Sequence, residues 1–132
     1  MKNEVRNSWL KKYFWLPLIF AIFTAGYIFY SSSLVFPKGP IDPLGNIKSI
    51  AYHYISFFVL SFFIILSIVR IDKNERYYLL LALLLASAFA ITDELHQFFV
   101  PNRDCGLADF LTDFAGIISA GFVYLFLFDR RT

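Results

Sequence analysis

The residues of this chain with the types and spacing to do chemistry are Asp93, Glu94, His96 and Gln97. Arg103, Asp109 and Asp113 follow them, and His53 stands well upstream. Three kinds of chemistry suit such a set. Imidazole and carboxylate oxygens bind hard or borderline divalent cations, which makes His53, Asp93, Glu94 and Asp109 candidate ligands. A compact motif such as His-Glu-x-x-His is missing, and the sequence requires no cofactor. A buried carboxylate beside an imidazole can also exchange protons, so His53, Asp93 and Glu94 are the candidate catalytic groups. Gln97, Arg103, Asp109 and Asp113 are candidates for binding a ligand, with the planar fork of Arg103 suited to a phosphate or carboxylate. A purely structural alternative pairs Asp93 or Glu94 with Arg103, which would pin a loop across the same place. Ser31, Ser32 and Ser33 are expected to bond backbone carbonyls or water at a helix end.

These groups need elements to position them, and the elements are apolar. Of 132 residues, 58% are hydrophobic and only 17% are charged. A soluble domain is nearer half apolar and about a quarter charged. Segments 13–37 and 49–69 contain no Asp, Glu, Lys or Arg, and each exceeds the roughly 20 helical residues that cross a hydrocarbon core. Segments 77–92 and 114–128 are equally clean but shorter. They reach spanning length only by including Asp93, Glu94 and His96 in one case and Asp109 and Asp113 in the other. The carboxylates therefore belong inside the spans.

The expected fold is an all-α membrane protein, a bundle of four transmembrane helices over about 13–35, 49–70, 77–99 and 108–128. A basic tail, 1–12, precedes this single domain, and a short tail, 129–132, follows it. The first apolar run is too long for a signal-peptide core and is expected to be a retained anchor. Pro17 suits the first turn of helix one. Pro37, Gly39, Pro40, Pro43 and Gly45 predict a non-helical loop over 36–46, and Pro101-Asn102 ends helix three. A single cysteine, Cys105, excludes an internal disulfide.

Nine of the twelve Lys and Arg residues lie in three segments: Lys2, Arg6, Lys11 and Lys12; Arg70, Lys73 and Arg76; Arg130 and Arg131. Lys38, Lys48 and Arg103 are the other three. The positive-inside rule then places both termini in the cytoplasm of a cell-membrane protein. The in-membrane polar groups all converge on the extracytoplasmic leaflet. Tyr27, Tyr30, Tyr52 and Tyr54 fit an outer aromatic belt, and Trp9, Trp15, Tyr77 and Tyr78 an inner one. The many phenylalanines are expected to be lipid-facing bulk.

Spacing groups the polar residues further. Asp93, His96 and Gln97 share one helical face at i, i+3 and i+4, which Ala86 and Ala90 continue inward, while Glu94 lies about 100° around. Asp109, Asp113, Gly116 and Ala120 form a similar stripe. Small residues at four-residue spacing let helices approach closely in lipid, so helices three and four are expected to pack along these stripes.

The run Asp93-Glu94-Leu95-His96-Gln97-Phe98-Phe99-Val100-Pro101-Asn102-Arg103, with Asp109 and Gly116 beyond it, resembles the signature of VanZ-like membrane proteins. That signature is roughly Asp-Glu-x-x-Gln, a Pro-x-Arg turn, an Asp, an Asn and a Gly. Ser31-Ser32-Ser33 and the block from His53 to Leu60 resemble the family's first two blocks, so the similarity covers about residues 25 to 121. Four positions depart from the pattern. Asp113 stands where Asn is usual and Asn102 where Gly is common. Lys48 lies two residues further from His53 than the family's lysine, and Phe57 replaces a tyrosine. The resemblance implies an integral membrane protein of the cell envelope, in a family whose founding member is linked to glycopeptide (teicoplanin) antibiotic resistance.

Two functions are compatible with these residues. One is a pocket that binds or modifies the polar head of an envelope lipid or lipid-linked precursor. The other is a non-enzymatic membrane adaptor whose polar cluster is a clasp. A proton-coupled transporter ranks below both, because the cytoplasmic halves of helices three and four offer no polar route. The net charge of +2 gives no reason to expect nucleic acid as a partner.

Overall fold

The computed structural model describes residues 12–35, 43–69, 74–103 and 106–128, without the side chains of 43–46. The chain is all-α. Its four helices are α1 (Trp15–Ser32), α2 (Pro43–Ile68), α3 (Glu75–Phe98) and α4 (Leu107–Phe128). All four are long and apolar enough to cross a membrane. Their outward faces are greasy, with Phe23 74% and Phe126 89% exposed. Apolar surface on that scale is stable only when lipid is the solvent. The protein is a multi-pass membrane protein. Lys2, Arg6, Lys11, Lys38, Arg70, Lys73, Arg130 and Arg131, which carry most of the orientation argument, lie outside the described residues, as do Trp9 and Cys105.

Local chemistry sets the helix ends. Pro43 opens α2, where its missing N–H costs nothing and its fixed φ is already helical. The predicted loop over 36–46 therefore gives up its last four residues, and Gly45 lies within the helix. Proline and glycine signal a break, but proline alone does not say whether it ends one helix or begins the next. Glu75 in the first turn of α3 and Asp109 in that of α4 complement the helix dipole. After Phe98 the chain turns through bonds from Phe99 N to His96 O and from Val100 N to Gln97 O.

Within that turn Asn102 has φ 60°, the only positive φ among the described non-glycine residues. Asparagine is one of the few side chains that tolerates the left-handed region, and glycine does so without strain. Asn102 is thus suited to the backbone shape of this turn. Asn102→Gly should leave thermal stability unchanged or slightly raised. Asn102→Val should lower it by about 1–2 kcal/mol, since a β-branched residue is strained there. Thermal unfolding in detergent reads both, and equal midpoints for Val and Gly would contradict the assignment.

Helix α2 is the hub, in contact with each of the other three, and α4 packs mainly on it. Two apolar clusters fill the interior. One joins Ile28, Phe57, Leu60, Ala86, Ala90 and Ile117, and the other joins Ile65, Val69, Leu79, Ala82, Ala120 and Tyr124. Phe57 is fully buried, so the phenylalanines are not all lipid-facing.

The small-residue stripe of α4 meets a different neighbour from the one expected. A Cβ on Gly116 would lie 2.5 Å from Tyr54 O and 3.0 Å from Phe58 N, both on the backbone of α2. The tight contact is therefore α2–α4. Helices α3 and α4 meet elsewhere, for example where Gly121 faces the Leu83 side chain. Four-residue spacing marks a face for close approach but does not choose which helix fills it.

Candidate functional site

The C-terminal ends of α1 and α3 meet the N-terminal halves of α2 and α4 at one end of the bundle. That end holds every buried polar side chain among the described residues except Ser61: Ser32, His53, Asp93, Gln97 and Asp113. The five divide into two neighbouring groups.

The first group ties α1 to α3. Ser32 Oγ donates to Asp93 Oδ2 at 3.0 Å, and Gln97 Nε2 donates to the same oxygen at 2.8 Å. Gln97 Nε2 also reaches Ser32 Oγ at 3.3 Å. The i, i+4 relation of Asp93 and Gln97 makes their bond possible within α3. Around this knot, Ser33 Oγ bonds His96 Nε2 at 2.9 Å, and the His96 ring stacks on Phe29 at 4.4 Å. Ser31 pairs with the Tyr52 hydroxyl of α2. Arg103 Nη2 donates to Ser31 O at 3.0 Å and so holds the α3–α4 loop on the end of α1.

The second group lies between α2, α3 and α4. His53 Nδ1 donates to Asp113 Oδ1 at 2.9 Å, with Asp113 completely buried and His53 nearly so. Glu94, a third of a turn around α3 from Asp93, faces this pair. His53, Glu94 and Asp113 each offer a ligand atom within 4.8 Å of the other two. Asp113 Oδ2 and Glu94 Oε1 are buried with no hydrogen-bond partner among the described residues, as is Asp93 Oδ1. Ser61 Oγ is likewise unpartnered, but two of these oxygens fall in the His53–Glu94–Asp113 group, and buried polar atoms are nearly always satisfied. Asp109 is half-buried one turn closer to the loop, on the face of α4 that carries Asp113.

Glu94 has a second surface. A groove of about 300 Å³ runs between α3 and α4, lined by Ile91, Glu94, Gly106, Leu107 and Phe110. Among the described residues its walls are apolar apart from the one carboxylate, and it opens outward from the bundle. Glu94 therefore stands between an apolar groove and the His53–Asp113 pair.

Of the residues singled out in the sequence, His53, Glu94 and Asp113 come together, while Asp93 and Gln97 belong to the Ser32 knot. Asp93 consequently stands outside the set that could hold a cation, and Asp113 stands inside it. Arg103 donates to Ser31 O, and among the described residues no ion pair with Asp93 or Glu94 stands beside that bond. Ser31 and Ser33 do bond backbone carbonyls, at Ile28 O and Phe29 O. Ser32 instead serves Asp93. Its position in a serine run at the polar end of α1 was the available signal, because a helix presents three successive residues in three directions. At the opposite end, the Tyr124 hydroxyl donates to Glu75 Oε1 at 2.9 Å, across 49 residues that no local pattern connects.

Fold and site together define an integral membrane four-helix bundle with a buried polar site at one end. Comparison with protein-family models, curated proteins and solved structures found no match. The likeness to VanZ-like proteins thus rests on the residues quoted above.

Proposed function

We propose that this chain is a VanZ-like integral membrane protein of the cell envelope. In this reading its polar end lies in the extracytoplasmic leaflet and binds, for retention or modification, the head of an envelope lipid or lipid-linked precursor. The observation that carries the proposal is the groove beside Glu94. Ile91, Leu107 and Phe110 supply apolar walls, and Glu94, the only polar side chain along them among the described residues, leads to His53 and Asp113. A site with that division suits an amphiphile, whose chain lies on the apolar walls while its head reaches the buried polar groups. Arg103 and Lys48, at the same end of the bundle, contribute the positive charge that an anionic head requires. His53 hydrogen-bonded to Asp113 is an acid–base pair able to move a proton to or from a bound hydroxyl.

Retention of lipid tests this proposal. Protein purified from membranes of phosphatidylcholine with added phosphatidylglycerol should carry about one anionic lipid through delipidation, as read by native mass spectrometry. Ile91→Trp, which fills the groove, should abolish retention. Arg103→Ala should weaken it about tenfold, a loss equivalent to about 1.4 kcal/mol. Retention by Ile91→Trp equal to wild type would refute the groove as the binding site.

The adaptor alternative draws support from the other half of the site. Ser32, Asp93 and Gln97, with Arg103 on Ser31 O, form a clasp that joins α1, α3 and the α3–α4 loop without any ligand. A transporter would need a polar route to the other end of the bundle. Among the described residues that path is filled by the two apolar clusters, with Ser61 the only buried polar side chain beyond the polar end.

A further inference from the structure

We infer that His53, Glu94 and Asp113 form a binding site for one divalent cation of the Zn²⁺ or Mn²⁺ type. This goes beyond the lipid reading and does not depend on it.

Three observations converge. The donor set is one imidazole and two carboxylates, contributed by three different helices. Its ligand atoms lie within 4.8 Å of one another. Imidazole with carboxylate favours borderline cations over Ca²⁺ or Mg²⁺, which prefer oxygen alone. Separation is the second observation. His53 Nδ1 and Asp113 Oδ1 are 2.9 Å apart. Two adjacent ligands around a cation at about 2.1 Å lie roughly 3.0–3.4 Å from each other, so a cation can replace the shared proton with little movement. The ring proton then resides on Nε2.

The third observation is the pair of orphaned oxygens. Asp113 is 0% exposed, yet its Oδ2 has no partner among the described residues, and neither does buried Glu94 Oε1. Two carboxylates inside a membrane bundle are costly to bring together, and a doubly charged cation balances both. His53 cannot do so alone, because even when protonated it carries one positive charge against two carboxylates. Three protein ligands leave a coordination position for an outside oxygen, as in metal sites that bind a reacting group. Glu94 places that position at the wall of the apolar groove.

Direct metal binding decides the matter. Full-length protein in detergent is stripped with chelator, exchanged into buffer, and titrated separately with ZnCl₂ and with MnCl₂. Bound metal is then measured after gel filtration. Wild type should hold about one equivalent of at least one of the two, with a raised thermal midpoint. Glu94→Gln removes a ligand whose Oε1 has no hydrogen-bond partner among the described residues, so it should fold normally and lose affinity more than about 100-fold. Asp113→Asn should lose the metal as well. Glu75→Gln, at the opposite end of the bundle, should bind as wild type does. Folded wild-type protein that binds neither ion, or a Glu94→Gln variant that binds as tightly as wild type, would overturn the assignment.

Discussion

Gly116→Ala should destabilise the bundle by about 3 kcal/mol, although it adds a single methyl group. The added carbon would sit 2.5 Å from Tyr54 O and 3.0 Å from Phe58 N. Both atoms are backbone, so no side-chain rotation relieves the clash, and α4 must move away from α2. Overpacking of this kind costs about 1–3 kcal/mol in well-packed cores, and a rigid obstacle lies at the upper end. Displacement would also separate Asp113 from His53, because Asp113 lies less than one turn before Gly116. Ligand or metal binding should therefore fall together with stability. Gly121→Ala is the matched control. Its nearest obstacle is the tip of the Leu83 side chain, at 3.3 Å, which can shift. Denaturant titration in mixed micelles measures both, and a Gly116→Ala cost no larger than that of Gly121→Ala would show that the α2–α4 contact is not tight.

Loss of the His53–Asp113 pair has the second large effect. Asp113→Leu should cost about 3 kcal/mol, since it leaves the buried imidazole N–H without an acceptor. His53→Leu should cost a similar amount by stranding the carboxylate in an apolar interior. The double variant should cost clearly less than the sum of the two, by about 2 kcal/mol or more, because neither partner remains to be left unsatisfied. All measurements are made in chelator so that a bound cation does not enter the comparison. Additive single effects would mean that the two side chains contribute independently and that their contact does not hold α2 to α4. Function separates from stability in the same set. The double variant should be stable enough to purify, yet retain neither lipid nor metal.

The sequence by itself determined the class of this protein and the end of the bundle at which its chemistry gathers. Uncharged runs of spanning length leave lipid as the only solvent in which such helices are stable, and the short runs of α3 and α4 force Asp93, Glu94, Asp109 and Asp113 into the spans. Helical spacing also separated Glu94 from Asp93, since adjacent residues point about 100° apart. Both facts are local and need only the chain.

Only the tertiary structure decided which groups touch. His53 and Asp113 are 60 residues apart, and Ser32 and Asp93 are 61 apart. No periodicity links positions so distant. The face of α4 that carries Gly116 was legible as a close-contact face, but the choice of α2 over α3 depends on how four helices fill space together. Arg103 shows the same division. Its place in a polar turn was plain, whereas its bond to Ser31 O required the end of α1 to lie beneath it. The buried site at His53, Glu94 and Asp113 thus draws its residues from the sequence and its geometry from the packing of α2, α3 and α4.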